Sequence, residues 1–143
     1  MKRFLSRLFI TSDDGNLGLL LLRVFVGAAM MTHGIPKIMG GPEFWAKVGG
    51  VMAKIGVPGP AVAWGFMAAM AEGVGSFLLL LGAFTTISSF LIVFTMSVAA
   101  FVAHSADPFA TREMALLYLF IALFFLLKGA GRYSVDALIR RST

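Results

Sequence analysis

Apolar residues fall along this chain in long blocks separated by short polar breaks, and the block lengths are those of membrane-crossing helices. A helix needs about 20 mostly apolar residues to span a bilayer. The first block follows the polar run Thr11, Ser12, Asp13, Asp14, Gly15 and Asn16 and predicts a span over 17–38. The next block, 61–104, is about twice the length of one span. It is interrupted near its middle by Gly82, Ala83, Phe84, Thr85 and Thr86, so it predicts two spans, 61–83 and 87–104, joined by a tight turn. A fourth span over 112–128 follows Asp107-Pro108 and stops at Gly129-Ala130-Gly131, with Lys128 placed favourably at the negative end of the helix dipole.

Three shorter segments carry amphipathic patterns instead. Residues 1–10 intersperse Lys2, Arg3 and Arg7 with Phe4, Leu5, Leu8 and Phe9, the pattern of an interfacial segment. A cleaved signal peptide is the rival reading, but Arg7 interrupts its apolar core and Asp13-Asp14 is a poor cleavage site. In the outer loop 39–60, a helix over 43–55 would put Glu43, Lys47, Gly50 and Lys54 on one face and Phe44, Val48, Met52 and Ile55 on the other. Trp45 could anchor that helix among lipid headgroups, and Pro58-Gly59-Pro60 would end the loop. Residues 134–141 predict a short C-terminal helix, with Ser134 as its N-cap and Asp136 in its first turn; both are capping residues in this reading. The predicted fold class is therefore an all-α integral membrane protein: one domain over 1–143, a bundle of four transmembrane helices with short interfacial helices at both ends and in the first loop.

Composition narrows the chemistry. Hydrophobic residues make up 59% of the chain and charged ones 13%, about half the charged share of an average soluble domain. With no cysteine, the chain excludes disulfides, thiolate catalysis and cysteine-held iron–sulfur or zinc centres of its own. A net charge of +5 could suggest nucleic acid, but the basic residues flank apolar blocks instead of forming one patch, so no nucleic-acid partner is expected. Lys2, Arg3, Arg7, Lys128, Arg132, Arg140 and Arg141 fall at one side of the predicted bundle. Lys37, Lys47, Lys54 and Arg112 fall at the other, so both termini are expected in the cytoplasm.

Ionisable residues inside the spans are the candidate functional groups, because each costs about 2.5–3.5 kcal/mol at a helix centre on insertion scales. Arg23 lies about 9 Å into the first span and Glu72 near the middle of the second. Their depths along ideal helices differ by about 6 Å, which predicts a buried Arg23–Glu72 ion pair. A second cluster gathers toward the other face: His33, Lys37, His104, Arg112 and Glu113. Gly65, Ala68, Ala69, Glu72 and Ser76 form a small-residue stripe that permits close helix approach, and Ser89, Ser97, Ala100 and His104 form another. Phe120 and Phe124 could close an apolar pocket, although most of the 14 Phe and nine Met are expected to pack or face lipid.

Arg23 with Gly27, then His33-Gly34-x-x-Lys37, Gly56-Val57-Pro58, Glu72-x-x-Gly75 leading to Leu81-Gly82, and the ending Gly131-Arg132-Tyr133-Ser134-Val135-Asp136 together resemble the DoxX family of small bacterial membrane proteins. Ala130 departs from the family, which often has proline between the two glycines. The resemblance implies a multi-pass protein of the bacterial inner membrane linked to respiratory or sulfur redox chemistry, since relatives include the DoxD-type component of thiosulfate:quinone oxidoreductase.

The leading functional expectation is a quinone-like apolar ligand between the helices. Its head group would meet His33, Lys37 or Glu72, with His104 and Glu113 as further ligand-binding or proton-transfer candidates. Electrons would come from a protein partner in a redox complex, and no catalytic residue or intrinsic cofactor is assigned. The alternatives are a non-catalytic anchor or assembly subunit, a transporter formed by a homo-oligomer, or buried charges that serve only the fold. His33 and His104 could ligate haem iron, but two histidines with charged neighbours are a weak signal, and no metal site is expected.

Overall fold

The computed structural model describes residues 16–142, and the interfacial segment expected over 1–10 lies outside them. The described residues form helices and connecting turns: α1 Asn16–Met39, α2 Gly41–Gly49 continuing as a 3-10 turn Gly50–Ile55, α3 Ala61–Leu81, α4 Thr85–Ala103, α5 Phe109–Lys128 and α6 Val135–Ser142. Of these, α1, α3, α4 and α5 are long and apolar enough to cross a membrane. The bundle core is a single cluster that includes Val26, Met30, Leu79, Ile92, Met96 and Phe125. Outside it, Phe25 is 73% exposed and Leu127 80%. Apolar side chains exposed on this scale over four helices need lipid as their solvent, so the protein is an all-helical multi-pass membrane protein.

Backbone contact sets the α1–α3 register. The buried face of α1 is Arg23, Val26, Gly27, Met30 and Gly34, a stripe at helical spacing. A Cβ on Gly27 would lie 2.7 Å from the Leu80 Cβ, and one on Gly34 would fall on the backbone of Glu72 and Gly73. Both contacts belong to one antiparallel register, which sets Glu72 opposite Ile35. Arg23 therefore lies about 18 Å along the bundle from Glu72, counting 1.5 Å per residue. The expected Arg23–Glu72 pair does not form. The depth estimate treated each helix separately, whereas the glycine contacts fix where the two cross.

Arg23 instead ties three segments together at the opposite end. Nε donates to the Leu80 carbonyl at 3.2 Å, Nη1 donates to the Ala130 carbonyl, and Nη2 donates to the Tyr133 carbonyl at 2.6 Å. A planar guanidinium suits this task because its donors are fixed in a fork. The α3–α4 turn docks on the same knot. Gly82 adopts φ 67° and Phe84 φ 48°, and a Cβ on Gly82 would meet the Ser134 Cβ at 2.5 Å and Arg23 Nη1 at 2.8 Å. Ser134 Oγ accepts the Ala137 N–H at the start of α6.

Asp136 lies in the first turn of α6 but caps a different helix. Its carboxylate accepts the Phe84 N–H at 2.8 Å and the Thr85 N–H at 2.9 Å, the orphan donors at the start of α4. Burial raises the Asp136 pKa. Hydrogen bonds from Thr85 and Phe84 and the charge of Arg23 more than offset that, leaving it below the ordinary carboxylate value.

In the first loop, helical geometry tightens at Gly50, so the face expected over 43–55 is not continuous. A Cβ on Gly49 or Gly65 would collide with backbone across the α2–α3 contact, so two glycines seat α2 directly on α3. Trp45 is not a free headgroup anchor: its Nε1 donates to the Lys37 carbonyl at 2.8 Å and its ring meets Phe66 edge-on.

Candidate functional site

The close Gly34–Gly73 crossing brings the next turn of α1 against the middle of α3, and Lys37 meets Glu72 there. Lys37 Nζ donates to both carboxylate oxygens at 2.6 Å. Glu72 is 3% exposed and the Lys37 side chain 29%, so the carboxylate is enclosed while its partner reaches the edge of the bundle. An unpaired carboxylate at this depth would be strongly disfavoured, and Lys37 supplies the enclosed Glu72 with its partner.

Two irregular stretches of backbone surround the pair. Ala71–Gly75 of α3, which contains Glu72, and Ala99–Ala103 of α4, which ends beside His104, both widen to π-helical geometry. Such bulges project side chains out of the ordinary helical rows and concentrate at functional sites. Here the residues of the two bulges line the same cavities.

The larger cavity, about 330 Å³, lies between α3, α4 and the α2 layer. Its walls are largely apolar, with Phe44, Met52, Trp64, Met67, Leu91 and Phe94 among them, and Lys37, Glu72 and His104 form part of its lining. A smaller cavity, about 180 Å³, lies on the α5 side and is lined by His33, Lys37, Glu72, His104, Thr111 and Tyr118, among others. Lys37, Glu72, Ala99 and His104 border both cavities, so the ion pair stands between an apolar chamber and a more polar one.

Four of the five residues expected to bind ligand or move protons therefore meet here: His33, Lys37, Glu72 and His104. His33 is exposed at the rim, its ring edge-on to Tyr118 with centroids 6.1 Å apart. His104 Nδ1 lies 2.6 Å from Asp107 Oδ2, which orients the imidazole. Glu113 does not join them. It is exposed at the start of α5 and lines neither cavity, because α5 begins at Phe109 and turns that position outward. Arg112 also serves the fold, donating to the Ala100 carbonyl at 2.9 Å and lying over the Phe101 ring.

No group of three or more His, Asp or Glu among the described residues could hold a metal ion. As for the histidine pair considered for haem, His33 and His104 border the smaller cavity, and the Nδ1 of His104 is already engaged. Sequence reasoning missed Asp107 and Tyr118. The spacing of His104 to Asp107 across the turn before Pro108 was a usable signal for the first. Tyr118 sits in an apolar helix with nothing to mark its phenol.

The family model described as DoxX matches residues 18–105, which run from the first turn of α1 to just past the end of α4 and include every residue of the ion pair and its bulges. An uncharacterized protein of Haemophilus influenzae is 34% identical over 125 residues, spanning 82% of this chain and 87% of its own length. No solved structure matches. The chain belongs to the DoxX family.

Proposed function

We propose that this DoxX-family membrane protein is a subunit of a quinone-linked redox system, and that the larger cavity holds a quinone-like apolar ligand with its head group at Lys37 and Glu72. The observation that carries the reading is an apolar chamber of about 330 Å³ that ends on an enclosed ion pair. Ligand cavities typically start at about 300 Å³ and combine apolar walls with a few convergent polar groups. Aromatic and thioether walls suit a flat conjugated ring, and the Lys37 ammonium suits a quinone carbonyl oxygen as acceptor.

Reduction of a quinone to the quinol takes up two electrons and two protons. The described residues contain no metal-binding cluster and the chain has no cysteine, so the electrons come from a partner protein in this reading. In this reading protons reach the head group through the smaller cavity, where His104 and Tyr118 offer hydrogen-bonding groups beside Glu72. The chain sits in the bacterial plasma membrane. Lys128, Arg132, Arg140 and Arg141 support a cytoplasmic position for the α6 end of the bundle, by the preference of basic residues for that side.

Trp64 lines the cavity and reports on occupancy, because a bound quinone quenches nearby tryptophan fluorescence. Titrating the detergent-solubilised protein with a short-chain quinone is expected to give saturable quenching. Trp64→Phe should remove most of it, and the double substitution Lys37→Met with Glu72→Leu should weaken it while keeping the helices packed. Quenching that never saturates, or that is unchanged by the double substitution, contradicts the reading. A protein partner recovered without any quinone would instead support the anchor role.

A further inference from the structure

A third cavity, a chamber of about 900 Å³, opens at the opposite end of the bundle from the ion pair, between the start of α1, the start of α4, the end of α5 and α6. Four basic side chains line it: Lys128, Arg132, Arg140 and Arg141. The acidic group among the lining residues, Asp136, has both oxygens turned to the backbone of α4, so the lining sets four basic side chains against one acidic one. The chamber also lies against the first turn of α4, with Thr85, Thr86 and Ile87 in its lining.

The chamber is amphiphilic. Phe84 and Ile87 belong to its lining and are 63% and 60% exposed, on the flank of α4 that faces lipid. It lies at the level of the helix ends, where the headgroup region of a bilayer would be. A soluble anion would use only the basic wall, whereas a phospholipid would use both surfaces. Its phosphate would sit among the basic groups and its acyl chains would run down past Phe84 and Ile87. Basic pockets between membrane helices bind anionic headgroups by this combination of charge and apolar flank.

We infer that this chamber is a binding site for the phosphate group of an anionic membrane lipid. It is independent of the ligand proposed for the Lys37–Glu72 cavity. The chamber selects net negative headgroups, because a zwitterionic lipid brings a cation into a wall that already carries an excess of positive charge.

The test is native mass spectrometry of the full chain extracted from vesicles of equal phosphatidylglycerol and phosphatidylcholine. Phosphatidylglycerol adducts should dominate in the wild type. Replacing Arg132 and Arg141 by glutamine should reduce that enrichment by on the order of fivefold per charge removed. Those substitutions could also disturb insertion, so Thr86→Glu is the second variant. It places a carboxylate in the first turn of α4, where the dipole favours it, while repelling an anion in the chamber. Enrichment should fall in Thr86→Glu and persist in Thr86→Gln, with the melting temperature preserved in both.

Adding inorganic phosphate separates the two sources of the same chemistry. Adducts that resist displacement identify the lipid as the occupant, whereas adducts displaced at millimolar phosphate would make the site one for a soluble anion and overturn the inference. Equal adducts of both lipids, or enrichment unchanged in Thr86→Glu and in the arginine variant, would overturn the inference.

Discussion

Arg23→Met removes the donors that tie α1 to the end of α3 and to the segment between α5 and α6, while keeping a long flexible apolar side chain in their place. Three carbonyls lose their partner: Leu80, Ala130 and Tyr133. Hydrogen bonds between membrane helices contribute about 0.6 kcal/mol on average and about 1.7 at most, so three of them amount to about 2–5 kcal/mol. The upper part of that range is favoured because the donor is charged and Arg23 is 2% exposed. Unfolding followed by circular dichroism through a titration of denaturing detergent in mild micelles would measure it. Arg23→Lys should recover only part of the loss, since one ammonium on a shorter stem cannot reach three divergent acceptors. The same assay separates this arrangement from a buried Arg23–Glu72 pair. A double-mutant cycle of Arg23→Met with Glu72→Gln should give a coupling near zero, because the sites are about 18 Å apart along the register. Loss of less than about 0.5 kcal/mol in Arg23→Met, or a coupling above about 1 kcal/mol, would refute the reasoning.

Further expectations follow from the same contacts. Gly34→Ala drives a methyl group into the backbone of Glu72 and Gly73 and should destabilise the bundle by about 1–3 kcal/mol, checked by the same unfolding titration. It should also weaken quinone-dependent quenching of Trp64, because α1 and α3 must separate at the ion pair. Lys37→Met alone should be more destabilising than the double replacement with Glu72→Leu, since it leaves a buried carboxylate unpaired, and thermal melting would rank the two. Asp136 has a folded pKa below its unfolded value, so its contribution is present above the unfolded carboxylate value of about 4 and is lost as pH falls through the lower folded one. Acid unfolding of the wild type should therefore contain a component absent from Asp136→Asn, which itself should lose about 0.5–2 kcal/mol at neutral pH as a damaged α4 cap.

The spans were legible because a membrane helix is written in one variable, the length of an apolar run, and Asn16–Met39, Ala61–Leu81, Thr85–Ala103 and Phe109–Lys128 are each such a run. The start of α6 was legible for a similar reason, since Ser134 carries its capping function in its own side chain. Pairing between helices was not. Nothing in the distance of Arg23 or Glu72 from a span end says which turns of two helices touch, and the answer lies in Gly27, Gly34 and Gly73, whose missing side chains carry no chemical signal of their own. Lys37 was recognised as a site residue, but its partner depends on that crossing. Asp136 shows the same limit: its position in a first turn was readable, whereas the helix it caps depends on how α6 folds back onto the α3–α4 turn. The π bulges escaped for a related reason. They insert a residue into a helix without breaking the apolar run that betrays it.

The measurement that bears most directly on the ligand reading is mass spectrometry of the small molecules that copurify with the wild type and with Ala68→Phe in mild detergent. Ala68 lines the larger cavity without belonging to the ion pair, so a phenyl ring there fills the chamber and leaves Lys37 and Glu72 in place. A quinone recovered near one per chain from the wild type and lost from the folded Ala68→Phe protein is the predicted result. No quinone in the wild type, or the same amount in both proteins, would contradict it.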